Sequence, residues 1–300
     1  MDTHENGSRG MLSRREAIYG AGAAAWSVLS ARSSTAESVK SMPRKGRLKQ
    51  SIAYWCFADH WDLERMCQIA RETGCASIEL VEPKFWPLLK KHGLVCALAG
   101  SHWFDKGMNN PKHHAMCLAK MREAIDVCAD FGFPNVITFT GLADGMAPDE
   151  GARHCVAGYK EIIGHAEKKK VNICLEILNS RVPVEMVGVP DYQGDHTDYC
   201  MEIVKKVGSP RMKLLFDIFH VQIMDGDLIS RIREYQEYIG HYHTAGNPGR
   251  HELDDTQEIN YRAVMQAIAA TGFSGYVGHE FMPTRDPLAG LREAVALSNV

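Results

Sequence analysis

From Ser51 onward the chain alternates between two hydrophobic patterns. Short apolar runs recur at residues 51–57, 77–82, 95–101, 135–141, 172–178, 212–218, 240–245 and 275–281. Compact runs of this kind are what strands covered on both faces look like. Between them, apolar residues return at helical spacing over 62–73, 85–92, 112–131, 149–169, 195–207, 228–238, 261–271 and 288–297. Gly74, Gly93, Gly132, Gly208 and Gly272 follow such segments, where a helix needs a left-handed stop. Eight strand–helix pairs over roughly 250 residues predict an α/β fold, a (β/α)8 TIM barrel forming one domain over 51–300. A doubly wound sheet is the competing arrangement, but no GxGxxG follows the first strand.

Composition narrows the class without changing this picture. The chain is 45% hydrophobic, with a formal charge of −3, which makes no electrostatic case for a nucleic-acid partner. No apolar run reaches the roughly 18 residues of a transmembrane helix, so no membrane integration is expected of the mature chain. The nine cysteines are irregularly spaced and form no CxxC pair, which argues for buried small apolar residues and against a disulfide framework. A homo-oligomer is compatible with all of this.

The N-terminus departs from the alternation. Arg14-Arg15 precedes an uncharged Ala- and Gly-rich segment over 17–31, and Ser34-Thr35-Ala36 follows with small residues suited to cleavage. The pattern resembles a twin-arginine export signal, implying residues 1–36 as signal peptide and a periplasmic or otherwise exported protein. Residues 37–50 are polar and basic, with Pro43 and Gly46, and read as a linker.

Candidate chemistry gathers near the ends of the last four predicted strands. His241 and His243 alternate with Tyr242, so both imidazoles share one face of the seventh strand. Glu176, Asp217 and Glu280 stand near the ends of the fifth, sixth and eighth. On a barrel, those strand ends converge on the mouth where active sites form. Two Glu, one Asp and one His are hard and borderline ligands that suit one divalent ion: Mn, Mg, Co or Zn. Simpler roles exist for each residue alone. Glu176 is also suited to pairing a buried cation, Asp217 to capping the next helix, and His241 to packing as a hydrogen-bonded neighbour.

Glu176, FDIFH at 216–220, HYHTAGNPGRHE at 241–252, the Glu258-Ile259-Asn260-Tyr261 segment and GHE at 278–280 resemble hydroxypyruvate isomerase. That enzyme belongs to the xylose-isomerase-like barrel superfamily, with ketose 3-epimerases and inosose dehydratases. The resemblance covers Ser51 to about Leu297. It implies a metal held by Glu176, Asp217, His243 and Glu280, with Glu176 and Glu280 also the acid–base pair. It places His220 and Arg250 on substrate oxygens. Glu252, His102 and Trp55 are further candidates for the substrate pocket. The chain departs from the pattern at His243, where hydroxypyruvate isomerase has Gln and ketose epimerases have His. It departs again in a long loop over 179–195 and in the export signal.

These residues predict proton removal from a carbon beside a carbonyl, with a metal stabilising the enediolate. A small keto-acid or sugar is the expected substrate. Return of the proton on the same face isomerises; return on the opposite face epimerises. Two alternatives keep the same barrel: elimination of water from a keto-inositol or keto-sugar, and a non-catalytic periplasmic sugar-binding protein. A barrel nuclease would need more metal ligands and a basic face, and the sequence shows neither.

Overall fold

The computed structural model describes residues 46–300. The signal reading of 1–36 lies outside the described residues, as does most of the 37–50 linker. Seven strands form one parallel sheet: β1 (Lys49–Ala53), β2 (Ser77–Glu79), β3 (Asn135–Thr138), β4 (Asn172–Glu176), β5 (Met212–Asp217), β6 (Ile239–Thr244) and β7 (Tyr276–His279). Their spatial order is β2-β1-β7-β6-β5-β4-β3. The expected third strand, 95–101, fills the gap between β2 and β3 with isolated parallel bridges, Ser77 to Val95 and Ala99 to Val136. It is not a regular strand because Ala97 gives its backbone to side chains. Its N–H donates to Ser77 Oγ at 2.8 Å and its carbonyl accepts from Asn135 Nδ2 at 2.9 Å. The barrel is therefore closed, with one irregular stave.

Ten α-helices occupy the described residues: α1 (Tyr54–Phe57), α2 (Leu63–Thr73), α3 (Trp86–Lys91), α4 (Pro111–Phe131), α5 (Pro148–Lys169), α6 (Thr197–Val207), α7 (Ile218–Met224), α8 (Leu228–Tyr235), α9 (Tyr261–Ala270) and α10 (Pro287–Leu297). α4, α5 and α10 each begin one residue earlier than their periodicity suggests, at a proline. Proline suits the first helical position because its fixed φ is helical and its missing N–H has no partner there. Gly74, Gly132 and Gly208 end α2, α4 and α6 with φ between 71° and 85°.

Three boundaries matter for the mouth of the barrel. The first strand starts at Lys49, inside the expected linker, and ends at Ala53 instead of running to Phe57. The turn of α1 then carries Trp55. The sixth predicted strand stops at Asp217, whose side chain starts α7. Between Leu214 and Leu215 of β5 the pairing with β6 shifts by one residue at Gly240, a bulge that sets His241 opposite Leu215 and His243 opposite Asp217. A Cβ at Gly240 would lie 2.8 Å from Lys213 Cβ and 3.0 Å from Cys174 Sγ, so the bulge needs glycine there.

Candidate active site

Glu176 ends β4, Asp217 ends β5, His243 is the penultimate residue of β6, and Glu280 follows β7. All four are buried, and one ligand atom from each lies within 4.8 Å of the others. His243 Nδ1 sits at the centre, 3.1 Å from Glu176 Oε1, 3.0 Å from Glu280 Oε2 and 3.8 Å from Asp217 Oδ2. Asp217 divides its two oxygens. Oδ1 accepts the N–H groups of Phe219 and His220 and so caps α7, leaving Oδ2 to face the cluster. The capping role and the ligand position are thus compatible in one side chain.

Arg250 reaches the cluster from a tight turn. Gly246 and His251 pair as an antiparallel bridge, and Arg250 N–H donates to Gly246 O at 2.9 Å. Arg250 itself has φ +63°, an uncommon conformation for a side chain of this size. Its backbone carbonyl accepts Met282 N–H at 2.8 Å, which holds the turn against the strand end after β7. The guanidinium is buried, pairs with Glu280 Oε2, and lies 3.8 Å from Asp217 Oδ2. Nη1 donates to Met186 O at 2.6 Å, tying the 179–195 loop to the site. The cation rests over Trp55, 5.1 Å from its ring centre, and Trp55 Nε1 donates to Glu280 Oε1 at 2.9 Å. Arg250 Nε has no hydrogen-bond partner among the described residues.

His220 is fully buried. Its Nδ1 accepts Asn179 N–H at 3.0 Å, which leaves the ring proton of the neutral form on Nε2. That Nε2 has no hydrogen-bond partner among the described residues and lies 3.6 Å from Asp217 Oδ2. Burial, with Arg250 nearby, holds this imidazole well below its usual range and hence neutral.

Two further pocket candidates have their polar side-chain atoms engaged within the protein. Glu252 spends its Oε1 on the N–H groups of Thr284 and Arg285 and its Oε2 on Thr284 Oγ1. It braces the 284–285 loop and shares no hydrogen bond with the cluster. His102 is buried with both nitrogens engaged, Nδ1 at Trp103 O and Nε2 at Thr138 Oγ1, and burial pushes its imidazole down to about 4. One residue enters the site without having been expected. Glu79, fully buried at the end of β2, accepts His243 Nε2–H at 2.7 Å. Its signal in the sequence is a carboxylate inside an apolar run, the same signal that marks Glu176.

The electrostatics separate the two candidate acid–base residues. Burial pushes the Glu176 carboxyl up to about 7 and the Asp217 carboxyl up to about 6. Burial also opposes ionisation of Glu280, but the His243 and Arg250 cations outweigh it and hold Glu280 well below the usual carboxylate range. His243 shows the converse: burial disfavours its charge, yet the carboxylates of Glu280, Glu176 and Glu79 raise it well above an ordinary imidazole. So much buried carboxylate around one imidazole nitrogen is a donor set that fits a divalent cation.

A family model described as xylose isomerase-like TIM barrel matches residues 67–299. The chain belongs to this family. Among its relatives, 2-oxo-tetronate isomerase of Cupriavidus necator is 32% identical over 251 residues, covering 78% of this chain and 92% of that one. Hydroxypyruvate isomerase of Escherichia coli is 33% identical over 110 residues, covering 37% and 42%. In the human, mouse and zebrafish relatives the matched stretch spans 40%, 65% and 64% of the chain, less than two thirds of each. Solved structures share the barrel at low identity. A family 2 AP endonuclease from Brucella melitensis superposes with TM-score 0.70 at 22% identity, covering 82% of this chain and 96% of that one. D-psicose 3-epimerase from Clostridium cellulolyticum, solved with D-tagatose, gives 0.69 at 17%, covering 84% and 98%. The IOLI protein, solved with a bound zinc atom, gives 0.65 at 18%, covering 84% and 95%.

Proposed function

We propose that this protein is a divalent-metal-dependent isomerase of a small hydroxy-carbonyl compound, a short keto-acid or ketose. One observation carries the reading. Glu176 and Glu280 meet His243 Nδ1 at 3.1 and 3.0 Å, in a buried set with Asp217 whose ligand atoms lie within 4.8 Å of one another. Two carboxylates flanking one cation site are suited to moving a proton at a carbon held beside the ion. Glu176, Asp217, His243 and Glu280 would hold the ion. A bound divalent ion supplies positive charge against the oxyanion that proton removal creates.

The side chains of this chain do the remainder. Glu280, ionised, takes the proton from the carbon beside the carbonyl. Trp55 and Arg250 fix its carboxylate from either oxygen. Glu176, on the other side of His243 Nδ1, is the second carboxylate of the pair and would carry a proton on the opposite face. His220 Nε2–H and Arg250 Nε, both buried and without partners among the described residues, are free to bind substrate oxygens. Return of the proton by Glu280 gives isomerisation, and delivery by Glu176 to the other face gives epimerisation. The relatives' names favour the isomerase.

The test is product analysis with metal-supplemented protein on a panel of hydroxy-keto acids and ketoses. Isomerisation conserves mass and moves the carbonyl, which carbon NMR resolves. A product lighter by one water would make the enzyme a dehydratase, and tight sugar binding without turnover would make it a binding protein. We further propose export by the twin-arginine route, supported by Arg14-Arg15 ahead of an uncharged segment. Replacing both arginines with lysine should leave the precursor in the cytoplasm; unchanged export would refute that route.

A further inference from the structure

The structure assigns Glu79 a role in the proposed metal site: it is the positioning residue that fixes the ring of His243. The inference rests on the reading of Glu176, Asp217, His243 and Glu280 as metal ligands. It concerns a residue outside that set and a different strand.

The geometry runs across the barrel. β2 and β6 are not neighbours in the sheet; β1 and β7 lie between them. Glu79 nevertheless reaches β6, accepting His243 Nε2–H at 2.7 Å and approaching His241 Nε2 at 3.1 to 3.2 Å. All three side chains are fully buried. An imidazole has two nitrogens, and a hydrogen bond at one decides which way the other points. With Nε2–H spent on Glu79, Nδ1 is turned toward Glu176, Asp217 and Glu280. A carboxylate on the far nitrogen also makes the near one a better donor.

The intervening strand is shaped around this contact. A Cβ at Gly278 of β7 would lie 2.2 Å from Glu79 Oε1 and 2.8 Å from Glu79 Cδ. Gly278 has no positive φ, so backbone conformation does not demand glycine there. The carboxylate of Glu79 does. His241 Nε2 contacts the same carboxylate, which gives its burial a purpose without making it a ligand. A rival role for Glu79, His241 and His243 is a second metal site of their own, since their donor atoms also lie within 4.8 Å of one another. Against that rival, His243 Nε2 and His241 Nε2 both hydrogen-bond Glu79 Oε1, while Glu79 Oε2 and His241 Nδ1 have no hydrogen-bond partner among the described residues, so the number of ions bound per chain decides between the two roles.

Two variants and two measurements test the assignment. Glu79→Leu removes the acceptor at similar size. Gly278→Ala leaves Glu79 in the chain but pushes its carboxylate away. Zinc or manganese binding is measured by calorimetry on the full mature chain, with circular dichroism confirming that each variant is folded. Loss of a partner behind a ligating histidine typically lowers metal affinity by about 10–100-fold, and both variants should fall in that range. Glu79→Gln retains an acceptor oxygen and should lose less. The second measurement needs no metal: the wild type should show a slowly exchanging, downfield imidazole Nε2–H for His243, absent in Glu79→Leu. Unchanged affinity in the folded variants, with that proton retained, would overturn the role, as would two ions per wild-type chain. Should the wild type bind no divalent ion, the ligand reading above falls, and the imidazole proton still decides whether Glu79 holds the ring.

Discussion

Arg250 shows how one side chain changes meaning between sequence and structure. A free clamp on a substrate carboxylate would affect KM alone. Here the guanidinium also pairs with Glu280, packs over Trp55 and ties Met186 O. Arg250→Ala is therefore expected to raise KM, most for acidic substrates, and to lower kcat because Glu280 loses a cation that keeps it ionised. Arg250→Lys should restore little, since one ammonium cannot copy the planar fork. Steady-state kinetics on an acidic and a neutral substrate will check this, and unchanged kcat and KM for both would refute it. Glu176, Asp217, His243 and Glu280 were legible in the sequence because each is a ligand-type residue near a strand end. Glu79 was not singled out, because nothing local says that its strand faces β6 across the barrel. For Glu252, proximity to Arg250 in sequence does not tell that its oxygens turn to Thr284 and Arg285.

At the scale of elements, alternating apolar runs and helical periods marked nearly every strand and helix. What they concealed were places where side chains replace backbone partners. Ser77 and Asn135 break the ladder at Ala97, so the third stave is bridged and not a regular strand. Asp217 caps α7 within what reads as a single apolar run, so the strand end and the helix start merge in FDIFH. That double duty is testable. Asparagine caps a helix about as well as aspartate. Asp217→Asn should keep α7 and the melting temperature nearly unchanged while weakening divalent-ion binding. Asp217→Ala should lose both, with the cap alone accounting for about 1 kcal/mol. Thermal denaturation and metal titration separate the two effects; a large loss of stability in Asp217→Asn would show that the capping account is wrong.

For the whole molecule, the site is a buried concentration of carboxylate that a cation would neutralise. An ion binding the folded chain stabilises it by mass action, about 2.7 kcal/mol at one hundred times its dissociation constant. Chelation should then lower the melting temperature of the metal-loaded protein. The pH dependence has a definite sign. Asp217 and Glu176 hold protons up to about 6 and about 7, and the surrounding carboxylates hold one on His243 well above the ordinary imidazole range. Those protons must leave before the ion binds, so affinity should rise between pH 5.5 and 8. Metal titrations at the two ends of that range will show it, and tighter binding at the acid end would contradict it.

The most direct measurement of the central claim is uptake of solvent deuterium. Metal-loaded protein is incubated in D2O with hydroxy-keto acids and ketoses, and the carbon beside the carbonyl is followed by proton NMR. Proton abstraction between Glu176 and Glu280 predicts exchange at that carbon. Exchange should stop on chelation and fall by about 10²- to 10⁴-fold in Glu280→Gln, the loss expected when a general base is removed. Exchange that persists at the wild-type rate in Glu280→Gln, or that never appears with any divalent ion across the panel, would contradict the account.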